Sequence, residues 1–221
     1  MNSADRIRSV RPRAVLMSLT VLLVVAGCTA GFHSNAPATQ TYVLRATSQS
    51  GAQHARPPAY SVSVARPIAG PGLGSDHIML VQTDHRMSYY AASRWPADLP
   101  EVLEALTVQT LRSSGDWSDV QDPSGTFRTD YLLQIVIRRF EADYTTHPDA
   151  PEVHVVLECT LGRRIGRELT GSFVAEGTAV AAANHLSEVV SAFEAAANQA
   201  LGSVAERSAQ NIDTPVPSRN R

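Results

Sequence analysis

Apolar positions along this chain follow two rhythms. In the first half they come in short runs of period two, which predicts strands at Thr41 to Ala46, Tyr60 to Ala65, His77 to Gln82 and Met87 to Ala91. Gln49 to Pro58 and the Gly- and Pro-dense segment Pro67 to Asp76 predict loops, and the polar turn around Asp84-His85 joins the last two strands as a hairpin. The rhythm changes at Pro96, which suits the first turn of a helix because its missing N–H has no partner there anyway. Leu99, Val102, Leu103, Leu106 and Thr110 then recur at helical spacing until Gly115 stops the helix.

Period two returns at Tyr131, Leu133, Ile135 and Ile137, a central strand that runs on into Phe140. Val153 to Leu161 and Glu168 to Gly177 predict two long strands around an exposed turn at Gly162 to Gly166. Leu186, Val189, Val190, Phe193, Ala197, Ala200, Leu201 and Val204 line one face of a final helix from about Asn184 to Ser208. The order is strands, helix, strands, helix. It predicts the α/β class, a mixed-sheet α/β sandwich in which two long helices cover the sheet.

The amino terminus obeys neither rhythm. Arg6, Arg8, Arg11 and Arg13 precede an apolar run from Ala14 to Val25, well short of the ~20 residues a stable transmembrane helix needs. The run ends in Val25-Ala26-Gly27-Cys28, small residues at a peptidase site followed by a thiol able to form a thioether to lipid. Residues 1–27 are therefore expected to be a lipoprotein signal peptide and Cys28 the acylated first residue of the mature chain. Several acyl chains on one residue anchor stably, each buried methylene contributing about 0.8 kcal/mol. Thr29, in place of an Asp, favours sorting to the outer membrane, with the domain facing the periplasm. Residues 28–40 are small and polar and predict the lipidated Cys with a flexible linker, residues 41–209 the domain, and residues 210–221 a disordered tail.

Charge changes the picture little. The whole chain carries 19 basic and 21 acidic residues; the signal takes four Arg and one Asp, leaving 15 against 20. A mildly acidic domain argues against nucleic acid as a partner. With Cys28 committed to lipid, Cys159 has no intramolecular disulfide partner, and its parity with Val153, Val155 and Leu157 predicts a buried, inert thiol.

Candidate chemistry is sparse. The seven histidines are scattered; Asp76-His77 and Asp84-His85 are read as turn residues, so no metal and no cofactor is expected. There is no Gly-x-Ser-x-Gly elbow, and Gly70-Pro71-Gly72-Leu73-Gly74 precedes a strand where a phosphate loop would open a helix. What stands out is the aromatic run into the first helix. Strand parity sends Tyr89 and Tyr90 to opposite faces, leaving one ring outward beside Arg94 and Trp95. Tyr, Trp and Arg dominate protein interfaces, so Tyr89, Tyr90, Arg94 and Trp95 form the candidate partner-binding patch, with ordinary packing as the competing reading.

The lipobox at Cys28, Tyr42-Val43-Leu44-Arg45, Gly72 to Ile78, Met87-Ser88-Tyr89-Tyr90, Arg94-Trp95 with Leu99-Pro100, Asp130-Tyr131-Leu132-Leu133 and Phe140-Glu141 together resemble the ABC-type transport auxiliary lipoproteins. The resemblance covers nearly the whole mature chain. It implies a fold similar to the anticodon-binding or TolB amino-terminal type, and a non-enzymatic adaptor beside an ABC permease and ATPase and a mammalian-cell-entry (MCE) domain protein in lipid transport. Self-association stays open. The competing function is a periplasmic carrier that itself encloses lipid, which would need an apolar cavity; a hydrolase would need a cleft of convergent polar groups. The long loop Tyr144 to Pro151 and the extended tail depart from many relatives.

Overall fold

In the computed structural model, residues 38–47 and 58–212 are described. The expected signal segment 1–27, Cys28, most of the expected linker, most of the loop Gln49 to Pro58 and the expected tail from residue 213 lie outside them. From Thr39 the chain forms one unit. Its elements are β1 (Gln40–Thr41), β2 (Ser61–Val64), β3 (Ile68–Ala69), β4 (His77–Val81), β5 (Met87–Arg94), α1 (Leu99–Ser114), β6 (Asp119–Gln121), β7 (Tyr131–Asp143), β8 (Glu152–Arg163), β9 (Glu168–Val180) and α2 (Leu186–Gln210).

Strand β7 is the axis of a nine-stranded mixed sheet. Along one edge it pairs antiparallel with β8 from Tyr131↔Arg163 to Asp143↔Glu152, and β8 pairs antiparallel with β9. The other edge is shared by three short parallel strands laid end to end. Val62–Val64 lies against Tyr131–Leu133, Ile68–Ala69 against Val136–Ile137, and Leu80–Val81 against Ala142–Asp143. Outside these, β6 adds to β2, while β5 and then β1 add beyond β4. Both helices pack on this sheet, α2 mainly on β8 and β9 and α1 beside β2, β3 and β6, giving the α/β sandwich expected from the sequence.

The faces follow the period-two pattern. On β8, Val153, Val155, Leu157, Cys159 and Leu161 are buried beneath the helices, while the even-numbered residues between them are half-exposed. On β7 the parity changes midway: Tyr131, Leu133, Ile135 and Ile137 point inward, and so do Phe140 and Ala142. A bulge at Arg138 accounts for the switch, since one unpaired residue turns every later side chain to the other face.

Four details differ from the sequence reading. The strand expected over Thr41 to Ala46 is only Gln40–Thr41 long, because the next backbone groups bond to helix side chains: Glu194 Oε2 accepts the Arg45 N–H (2.8 Å), and Asn198 accepts from Thr47 N–H (2.7 Å) while donating to the Arg45 carbonyl (2.9 Å). The expected loop Pro67 to Asp76 contains β3, extended by the Gly70 N–H donating to the Ile137 carbonyl at 3.0 Å. Helix α1 starts at Leu99 and has Pro100 in its first turn, so Pro96 does not open it. The segment before the helix bends at Pro96 and Ala97 and is held at both ends, the N–H groups of Trp95 and Leu99 donating to the carbonyls of Asp76 (2.7 Å) and Ser75 (3.1 Å). Strand β6 carries too little periodicity to be seen in the sequence; its pairing with β2 makes it. Gly115 caps α1 at φ 74°, where a left-handed residue ends a helix without strain.

Candidate interaction site on the bulged strand

Strand β5 carries the aromatic run, and its geometry is irregular. Its pairing with β4 passes from Met79↔Tyr89 to His77↔Arg94, so extra residues bulge out of β5 between these pairs. Ala92 takes φ 50° in the bulge, a conformation that costs a residue with a Cβ about 1 kcal/mol or more. Such bulges re-aim side chains. Beyond this one, Ser93 and Arg94 are free to pair with Gln40 and Thr41 of β1.

The bulge separates the four candidate residues. Tyr89 is 38% exposed; its ring lies over the His77 imidazole, 5.2 Å between centroids, and its hydroxyl donates to the Gly72 carbonyl at 3.1 Å. Tyr90 points to the other face, half-buried, with its hydroxyl 2.8 Å from that of Tyr144. Burial, with the Tyr144 hydrogen bond second, pushes the Tyr90 phenol well above its ordinary range, so it stays neutral. Arg94 is exposed, its Nη1 3.8 Å from Asp76 Oδ2 and its Nε 3.5 Å from Thr41 Oγ1. Asp76 Oδ1 also lies 3.3 Å from His77 Nδ1.

Trp95 is corrected. At 1% exposure it is a core residue and can touch no partner. Its ring meets Phe193 (5.4 Å, 81°) and Phe140 (6.0 Å, 79°) edge-on, while Phe140 and Phe193 stack at 5.1 Å. Edge-to-face packing of this kind holds α2 onto the sheet. The surface that remains is Tyr89, His77, Asp76 and Arg94, extended by Met87, which is exposed on the same side as Tyr89. Sequence reading missed Met87 and His77. The signal was there, since Met87 shares the parity of Tyr89 and His77 starts the partner strand.

The patch holds the Tyr89 ring and the Met87 thioether beside the His77 imidazole, the Arg94 guanidinium and the Asp76 carboxylate. Among the described residues no three His, Cys, Asp or Glu side chains come together as a metal site, and no helix is long and apolar enough to cross a membrane. Cys159 is buried, and desolvation pushes its thiol up to about 12, the opposite of an activated nucleophile.

Comparison with known proteins places this geometry. A crystal structure of a Xanthomonas campestris protein of the DUF330 family superposes with a TM-score of 0.68 at 23% identity, over 77% of this chain and 96% of that one. A second crystal structure, of an uncharacterised protein, gives 0.61 at 14% identity over 77% and 99%. At these identities the likeness is one of fold. No curated protein sequence matches. Residues 42–208 match the family described as the ABC-type transport auxiliary lipoprotein component, and the chain belongs to that family.

Proposed function

We propose that the protein is a non-enzymatic docking subunit of an ABC lipid transporter, held by acyl chains on Cys28 at the periplasmic side of the outer membrane and binding an MCE-domain subunit through the β5 patch. Its family supports a role beside an ABC system. The observation that carries the docking role is Tyr89. The fold keeps a large ring outward on a bulged strand, steadies it against His77 and Gly72, and sets Arg94 beside it. A ring held in place loses little entropy on contact, which is what an interface anchor requires. The core beneath is filled by Trp95, Phe140 and Phe193, which favours an adaptor over a carrier that encloses lipid.

A photo-crosslinking amino acid at position 89 tests this in cells. An adduct identified by mass spectrometry as the MCE-domain subunit is expected. Adducts confined to unrelated envelope proteins would overturn the reading.

A further inference from the structure

Two loops meet at the end of the sheet where β7 begins: 122–130, before β7, and the turn 164–167 between β8 and β9. They are tied together by Arg164, whose backbone N–H donates to the Asp130 carbonyl (2.8 Å) and whose Nη1 donates to Thr129 Oγ1 (3.1 Å). Thr129 is buried and donates to the Tyr131 carbonyl (3.2 Å), and the Asp130 carboxylate accepts both the N–H and the hydroxyl of Ser61 at 2.8 Å. The base of this end is thus well fixed.

From that base project Phe127, 79% exposed, and Ile165, 82% exposed, the two most exposed large hydrophobic residues among those described. Leu169 is exposed nearby on β9. Around them stand the exposed arginines 128, 164 and 167, none in an ion pair among the described residues. This end combines apolar tips with three exposed guanidinium groups; of the carboxylates beside them, Asp130 accepts from Ser61 and Asp122 from Ser124, and Glu168 follows Arg167 on β9.

We infer that this end is a second membrane contact, in which Phe127 and Ile165 enter the acyl boundary of an anionic phospholipid leaflet while Arg128, Arg164 and Arg167 bind its phosphates. A bilayer admits both exposed side chains without a preformed pocket and offers phosphates to all three arginines together, whereas a protein would need a shaped apolar pocket and several placed acids. A lipoprotein works beside a bilayer, so the surface is within reach. The inference is independent of the docking reading. It would also orient the domain, because the β5 patch lies toward the opposite end of β7, where Val81 pairs with Asp143 and with Met87.

The test uses the full-length lipidated protein carrying F127W, reconstituted in vesicles of phosphatidylethanolamine and phosphatidylglycerol with brominated acyl chains. The native Trp95 and Trp117 are buried and supply a constant background. F127W emission is expected to shift to the blue and to be quenched, while Y89W in the same vesicles is not. The double substitution R128Q/R167Q, which leaves the Arg164 tie intact, should weaken insertion about fivefold for each arginine removed. Water-like, unquenched emission from F127W would overturn the inference, as would equal quenching at positions 127 and 89, which the lipid anchor alone would produce. A blue shift seen only when a periplasmic partner protein is added would overturn it in favour of a protein contact.

Discussion

Strand β9 and helix α2 touch backbone to backbone at Gly177 and Ala196: a Cβ placed on Gly177 would stand 2.0 Å from the Ala196 carbonyl oxygen and 2.9 Å from the Ala200 nitrogen. The run of alanines on the buried face of α2 allows this approach, and the glycine completes it. Neighbouring side chains close the free edge of β9, Gln199 accepting from the Thr178 N–H at 3.0 Å and Arg207 donating to the Val174 carbonyl at 2.7 Å.

Gly177→Ala should therefore push α2 off the sheet and cost about 2 kcal/mol or more, as overpacking of a tight contact does. The melting temperature should fall by several degrees. Gly74→Ala, whose Cβ would meet nothing nearer than the Ala69 Cβ at 3.8 Å, is the control and should melt nearly as the wild type does. Equal melting of the two variants would refute the close approach.

Trp95 and Tyr89 should part in their effects. Trp95→Ala empties the Phe140–Phe193 cluster and should cost roughly 3 to 5 kcal/mol of stability. Tyr89→Ala should leave melting almost unchanged and weaken binding to the proposed MCE-domain partner by about 2 kcal/mol. A calorimetric melt and a binding titration on each variant separate the two. A Tyr89→Ala protein that binds normally would remove the patch from the interface.

Cys159 gives a pH signature. Its thiol ionises near 9 in an unfolded chain, but burial raises it to about 12 in the fold. Between these values the unfolded state gives up a proton that the folded state keeps, so the thiol's contribution is complete below pH 9 and is lost as pH rises toward about 12. Cys159→Ala should remove that part of the alkaline slope while leaving transport intact. Denaturant melts of both proteins across the alkaline range measure the difference, and rapid alkylation of native Cys159 at neutral pH would contradict the burial.

Anchoring is tested at Cys28. Cys28→Ser should abolish labelling by radioactive palmitate and leave the precursor uncleaved by the lipoprotein-type peptidase. Persistent labelling of the serine variant would show that the lipid is attached elsewhere.

Period-two and period-3.6 patterns alone determined the main elements, the α/β class, the buried parity of Cys159 and the opposite facing of Tyr89 and Tyr90, because burial on one face writes itself into alternate positions. The tertiary structure decided what depends on partners distant in sequence. Strands β3 and β6 are too short to carry a pattern and exist because β7 and β2 offer backbone partners. The segment after Thr41 looks like a strand but bonds to Glu194 and Asn198 of a helix some 150 residues later. The bulges at Arg138 and around Ala92 change which side chains face inward, and a bulge is a property of two strands together, invisible in one. For that reason the residue types of an interface, Tyr, Arg and Trp, were legible in the sequence, but Trp95 had to be placed by its packing against Phe193 before Met87 and His77 could take its place at the surface beside Tyr89.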